Sequence, residues 1–123
     1  MSCTVEPMLG PKGSGITYYR CVGNECKKGE ECLFYLVLSK AGKITGYGCE
    51  CAKVEFPAPV NGKGEACLKE TSAEVPDKEG RKFYYRCKTV ECTGKGKSCI
   101  FWVKDKDGDY VDSGCECKIW TAS

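Results

Sequence analysis

Thr17-Tyr18-Tyr19-Arg20-Cys21 comes back sixty-six residues later as Phe83-Tyr84-Tyr85-Arg86-Cys87, and the framework around each copy recurs with it. Glu25-Cys26 matches Glu91-Cys92, and Cys32 with Phe34 matches Cys99 with Phe101. Gly48-Cys49-Glu50-Cys51 matches Gly114-Cys115-Glu116-Cys117. Cys3 and Cys67 open the two units, so each unit carries half of the 12 cysteines. Self-similarity of this kind marks a duplicated structural unit. It divides the chain into a cysteine-rich module over 2–53, a proline- and glycine-bearing linker over 54–63, and a second module over 64–123.

Within a unit the local signals are those of strands. Thr17–Cys21 and Lys82–Cys87 are aromatic and β-branched, Leu33–Leu38 and Ile100–Val103 form a second apolar run, and Ile44–Cys51 and Tyr110–Cys117 form a third. Turns separate the last two runs, at Lys40-Ala41-Gly42-Lys43 in one unit and at Asp107-Gly108 in the other; Asp-Gly between apolar runs is a hairpin signal. No segment has a helical period. The expected fold is small, disulfide-rich and all-β, with two tandem six-cysteine modules, each a short antiparallel sheet with a hairpin. In the linker, Phe56-Pro57-Ala58-Pro59 reads as extended, because proline fixes its own φ and disfavours helix in the residue before it. Asn61-Gly62-Lys63-Gly64 then loosens the chain.

Twelve cysteines in 123 residues are the density of a disulfide scaffold in a secreted chain. The expected bonds use all of them: Cys3, Cys21, Cys26, Cys32, Cys49 and Cys51 in the first module, and Cys67, Cys87, Cys92, Cys99, Cys115 and Cys117 in the second. On a strand, residues i and i+2 lie about 6.6 Å apart on one face, too far for a bond, so Cys49 and Cys51 serve different partners. Fifteen connectivities per module remain open. Structural zinc is disfavoured, since the chain has no histidine and its Cys-x4-Cys, Cys-x5-Cys and Cys-x-Cys spacings fit zinc poorly. The chain is expected to be extracellular, to hold no cofactor, and to begin as a mature protein behind a start methionine. Neither Asn24 nor Asn61 lies in a glycan acceptor.

Charge and composition exclude further classes. Nineteen basic and seventeen acidic residues are interspersed, without the basic stripe of a nucleic-acid binder. The longest apolar run, Leu33–Leu38, is too short to span a membrane. Without histidine there is no imidazole base, and with the thiols bonded no cysteine nucleophile, so no enzyme activity is expected. The acidic run Asp105–Asp112 departs from a calcium loop, with Tyr110 where glycine is needed, and reads as a hairpin turn.

Candidate partner-binding residues follow from side-chain type. Tyr19 and Arg20, with Tyr85 and Arg86, combine rigid area and directed hydrogen bonds. Strand alternation turns one tyrosine of each pair inward and leaves its neighbour outward. Tyr35 and Trp102 stand beside the core phenylalanines Phe34 and Phe101, and Trp120 lies beyond the last cysteine. Lys27-Lys28, and Lys95 with Lys97, sit on loops flanked by cysteines, as bait residues of a double-headed serine protease inhibitor would.

The duplicated module, the Tyr-Tyr-Arg-Cys…Gly-Cys-Glu-Cys framework and the missing catalytic equipment resemble the cysteine-rich salivary proteins of blood-feeding arthropods, ticks above all. That resemblance implies a secreted, monomeric, immunomodulatory binder of a host complement factor, chemokine or protease. It implies no particular binding residue, and the cysteine spacings depart from Kazal and Kunitz inhibitors and from evasins. A protease inhibitor and a structural or adhesive matrix protein are the alternative readings.

Overall fold

The computed structural model describes residues 3–23, 25–56, 67–89 and 92–121. Nine strands run through them: β1 Thr4–Leu9, β2 Ile16–Val22, β3 Glu31–Leu38, β4 Ile44–Ala52, β5 Cys67–Thr71, β6 Val75–Asp77, β7 Gly80–Thr89, β8 Lys97–Lys106 and β9 Asp109–Ile119. The three apolar runs expected in each unit are all strands. The sequence reading missed β1 and β5, which open the units. β1 contains Pro7, which a central strand would not tolerate but a sheet edge does. β1 is indeed an edge, as is β5.

The sheets are not divided as the repeat suggested. One sheet has the order β1-β2-β8-β9 and the other β4-β3-β7-β5, with β6 added beside β7. Each sheet thus takes two main strands from each repeat, and the expectation that each module makes its own sheet is corrected. The exchange is reciprocal. Tyr18 and Tyr19 lie opposite Trp102 and Phe101, and Tyr84 and Tyr85 lie opposite Tyr35 and Phe34. The hairpin tips also clasp each other: the Ile44 amide donates to the Gly108 carbonyl and the Tyr110 amide to the Gly42 carbonyl, at 2.8 and 3.0 Å. Most of the linker, residues 57–63, and the start of the second module, residues 64–66, lie outside the described residues.

Between the sheets lies the core, Phe34, Leu36, Tyr85, Phe101 and Val103. Its centre is a row of rings: Tyr19 stacks on Phe34 at 4.9 Å, Phe34 meets Phe101 at 5.0 Å, and Phe101 stacks on Tyr85 at 4.9 Å. Burying each ring contributes roughly 1.5–3 kcal/mol. Because Phe34 and Phe101 come from different repeats, neither repeat can bury its own half alone.

Every disulfide stays inside its repeat: Cys3–Cys32, Cys21–Cys49 and Cys26–Cys51, then Cys67–Cys99, Cys87–Cys115 and Cys92–Cys117. The two cysteines of each Cys-x-Cys do take different partners. Since each repeat contributes to both sheets, the bonds Cys21–Cys49, Cys67–Cys99 and Cys87–Cys115 run from sheet to sheet. The protein is therefore a small all-β sandwich stapled through its core, of a kind suited to oxidising, extracellular surroundings.

Candidate functional site

Within each Tyr-Tyr-Arg strand both tyrosines are engaged. Tyr19 and Tyr85 face the interior, and burial pushes both phenols up. Tyr18 and Tyr84 lie on the outer faces but are buried too, so neither pair leaves a tyrosine free in solvent. Tyr18 packs with Met8 and Ile100, joined by Trp102 and Trp120. Its hydroxyl donates to Glu116, and that of Tyr84 donates to Glu50. The tyrosine of one repeat thus holds the Gly-Cys-Glu-Cys glutamate of the other. Burial opposes ionisation of Glu50, yet hydrogen bonds from Lys82 and Tyr84 hold its carboxyl below the ordinary glutamate value. These carboxylates lock the fold.

The arginines have matching surroundings. Arg20 Nε donates to Glu6 at 2.8 Å, and its guanidinium lies 4.2 Å over the Trp120 ring. Arg86 Nε donates to the buried Glu70 at 2.9 Å, Nη1 donates to Glu31 at 2.9 Å, and the guanidinium lies 4.3 Å over Phe56. Arg20 remains partly exposed. Tyr35 and Trp102 lie across the glycines opposite them: a Cβ at Gly48 would stand 3.0 Å from the Tyr35 hydroxyl, and one at Gly114 2.8 Å from the Trp102 ring. That close approach explains the glycine ahead of each Cys-Glu-Cys. Past Trp120 the tail reaches β1, where the Thr121 amide donates to the Met8 sulfur at 3.1 Å.

Two of the concavities among the described residues bear on function. A groove runs between Leu9, 82% exposed, at the end of β1 and Ile119, 50% exposed, at the end of β9, with Met8, Pro11 and Lys118 beside them. The other is a cleft of about 480 Å³ between the sheets, within the usual range of ligand pockets. Leu36, Ile44 and Val103 give it apolar lining, Tyr19 and the half-exposed Tyr47 form an aromatic wall with centroids 5.2 Å apart, and Asp105 stands at its margin.

Sequence reasoning passed over Tyr47 and read Asp105 only as part of an acidic run. A signal for Tyr47 was present. The Cys-Glu-Cys registers align it with Ser113, so the cleft lining is a place where the repeats diverge.

The remaining motifs are held locally. Asp107 and Gly108 both have positive φ, 54° and 85°, as a tight hairpin turn requires. Asp105 accepts from the Gly108 amide, Asp112 accepts from the Ser113 amide and Asp109 pairs with Lys43. The Glu30 amide donates to the Lys27 carbonyl at 2.9 Å, so Lys27-Lys28 is a tight turn and not the extended strand a protease takes as bait. Lys97 is in the β8 ladder opposite Ile119, and Lys95 is exposed. Cysteine trios close enough to share a metal, such as Cys3, Cys26 and Cys51, are bound in disulfides. Among the described residues no helix is long and apolar enough to cross a membrane. Compared with known proteins, the chain matches no family model, no curated protein and no solved structure.

Proposed function

We propose that this is a secreted, non-enzymatic protein that captures an extracellular protein partner. The target class implied by the salivary resemblance is a host-defence protein, such as a complement factor or a chemokine. The observation that carries the reading is the Leu9–Ile119 groove, two large exposed apolar side chains flanking one concavity on a disulfide-stapled frame. Apolar anchors with a charged rim are the anatomy of a protein interface, and Lys118 with the nearby Arg20–Trp120 pair supplies that rim. A frame stapled from sheet to sheet loses little freedom on binding, which favours affinity from a small surface. Since the repeats share both sheets, capture uses one rigid body and not two hinged heads. The absent histidine, the bonded cysteines and the occupied Glu50 and Glu116 support a role without catalysis.

The test is capture from vertebrate plasma on immobilised protein, beside a Leu9→Asp/Ile119→Asp variant. The expected result is one saturable protein held by the parent and lost by an equally stable variant. Identical capture by both, or none by either, rejects the groove as the binding surface.

A further inference from the structure

The repeat offers an internal control for the cleft beside Tyr19. In the second repeat, Tyr85 stands where Tyr19 stands, Lys69 where Val5 stands, and Ser113 where Tyr47 stands. The ladders fix these equivalences, since Val5 and Lys69 pair with Cys21 and Cys87, and Tyr47 and Ser113 pair with Leu36 and Val103. There the protein supplies its own cation. The Lys69 ammonium is 5.9 Å from the Tyr85 ring centroid and donates to the carbonyl and hydroxyl oxygens of Ser113, both at 3.1 Å. In the first repeat Val5 brings no charge, and the cleft stays open against Tyr19 and Tyr47. The carboxylate of its acid, Asp105, accepts one hydrogen bond, from the Gly108 amide, and has no cationic partner among the described residues.

We propose that this cleft binds a small organic ammonium on an aromatic body. The ammonium sits between Asp105 and the tyrosine rings, where Lys69 sits against Tyr85 in the other repeat, and the aromatic body lies on Leu36, Ile44 and Val103. A cation over an aromatic face, next to a carboxylate and partly withdrawn from water, is favoured on both counts. A volume of about 480 Å³ admits a two-ring amine. The site is distinct from the Leu9–Ile119 groove, so it stands or falls independently of protein capture.

Tryptamine is the probe, titrated into the full chain by calorimetry and by amide chemical shifts. Saturable one-to-one binding is expected, with shifts centred on Ile44–Gly48 and Asp105–Gly108. Tryptophol, with a hydroxyl in place of the ammonium, should bind ~10-fold or more weakly, the factor that about 1.4 kcal/mol of charge recognition gives. Asp105→Asn should weaken tryptamine several-fold while leaving the turn intact, because the asparagine oxygen still accepts from Gly108. Val5→Lys should abolish binding by supplying the ammonium internally. The proposal is overturned by equal affinity for tryptophol, by an Asp105→Asn variant that binds as before, by shifts centred elsewhere, or by no binding at millimolar tryptamine. Tighter binding of Nα-acetyl-lysine amide than of tryptamine would assign the cleft to a protein side chain and overturn the aromatic-amine assignment.

Discussion

Tyr19 and Tyr85 occupy the same place in their repeats, stack on equivalent phenylalanines, and have opposite neighbourhoods. Around Tyr85 the space is closed. Phe83 packs 6.5 Å away, Tyr110 ties its hydroxyl to Ser113 at 2.7 Å, and Lys69 reaches across to the same serine. Burial pushes the Lys69 ammonium down from the ordinary lysine value, with Asp112 opposing. Around Tyr19 the equivalent positions hold Thr17, Ile44 and Val5, and a cleft remains. Duplication therefore kept the framework in both halves, and the side chains specialised them, one half as filler and the other as an opening. The difference teaches where to look for function in a repeated fold: at positions where the frame is equal and the contents are not.

The largest effect tests whether the halves are one body at all. A protease site inserted within 57–66 and cut, with disulfides intact, should leave two fragments that co-elute as the uncut protein. No disulfide joins the repeats, so denaturant without reductant should separate them. Fragments that separate in native buffer would show two independent modules and break the comparison.

Next comes the filled side. Phe83→Ala hollows the packing beside Tyr85 and should cost about 2–3 kcal/mol, somewhat below the cost for a fully buried phenylalanine. Thr17→Ala, its repeat-related partner beside the cleft, should cost under about 1 kcal/mol. Denaturant midpoints compare the two, and equal losses would erase the asymmetry.

The arginines give a smaller contrast. Arg86→Ala strands the buried Glu70 carboxylate and should cost about 1–3 kcal/mol, whereas Arg20→Ala breaks an exposed pair and should cost about 0.2–1 kcal/mol. Arg20 is then the arginine whose loss can weaken binding while stability is nearly unchanged. A larger stability loss at Arg20 than at Arg86 would reverse that assignment.

The smallest effect is a slope in pH. Burial, and then the Glu116 carboxylate, push the Tyr18 phenol up from 10.0 to about 12. Above pH 10 the unfolded chain releases this proton before the folded one does. Stability from Tyr18 is thus complete below pH 10 and falls as pH climbs toward 12. Urea midpoints across that window should fall less steeply for Tyr18→Phe, and an unchanged slope would show that the phenol does not contribute.

Much of the fold was legible in residues 17–51 and 83–117. Aromatic and β-branched runs specify strands wherever they are placed, Asp107-Gly108 specifies its turn, and the two-residue period of a strand forces Cys49 and Cys51 to different partners. β1 and β5 were not legible, because an edge strand needs neither strong propensity nor alternation once a neighbour supplies the ladder. The cleft was illegible for another reason: the divergence at Tyr47 could be read from the repeat, but Tyr47 and Asp105 are far apart in the chain and line one cleft only when the β4 edge closes over β8.

Sequence alone determined the duplication, the three apolar strands per unit and the complete use of the cysteines. Only the tertiary structure decided that the repeats exchange strands. Local pattern and within-repeat disulfides fit both a self-contained module and an exchanged one. The choice is made by burial, since a single unit cannot cover Phe34 or Phe101 from both sides, and the ring of the other repeat can.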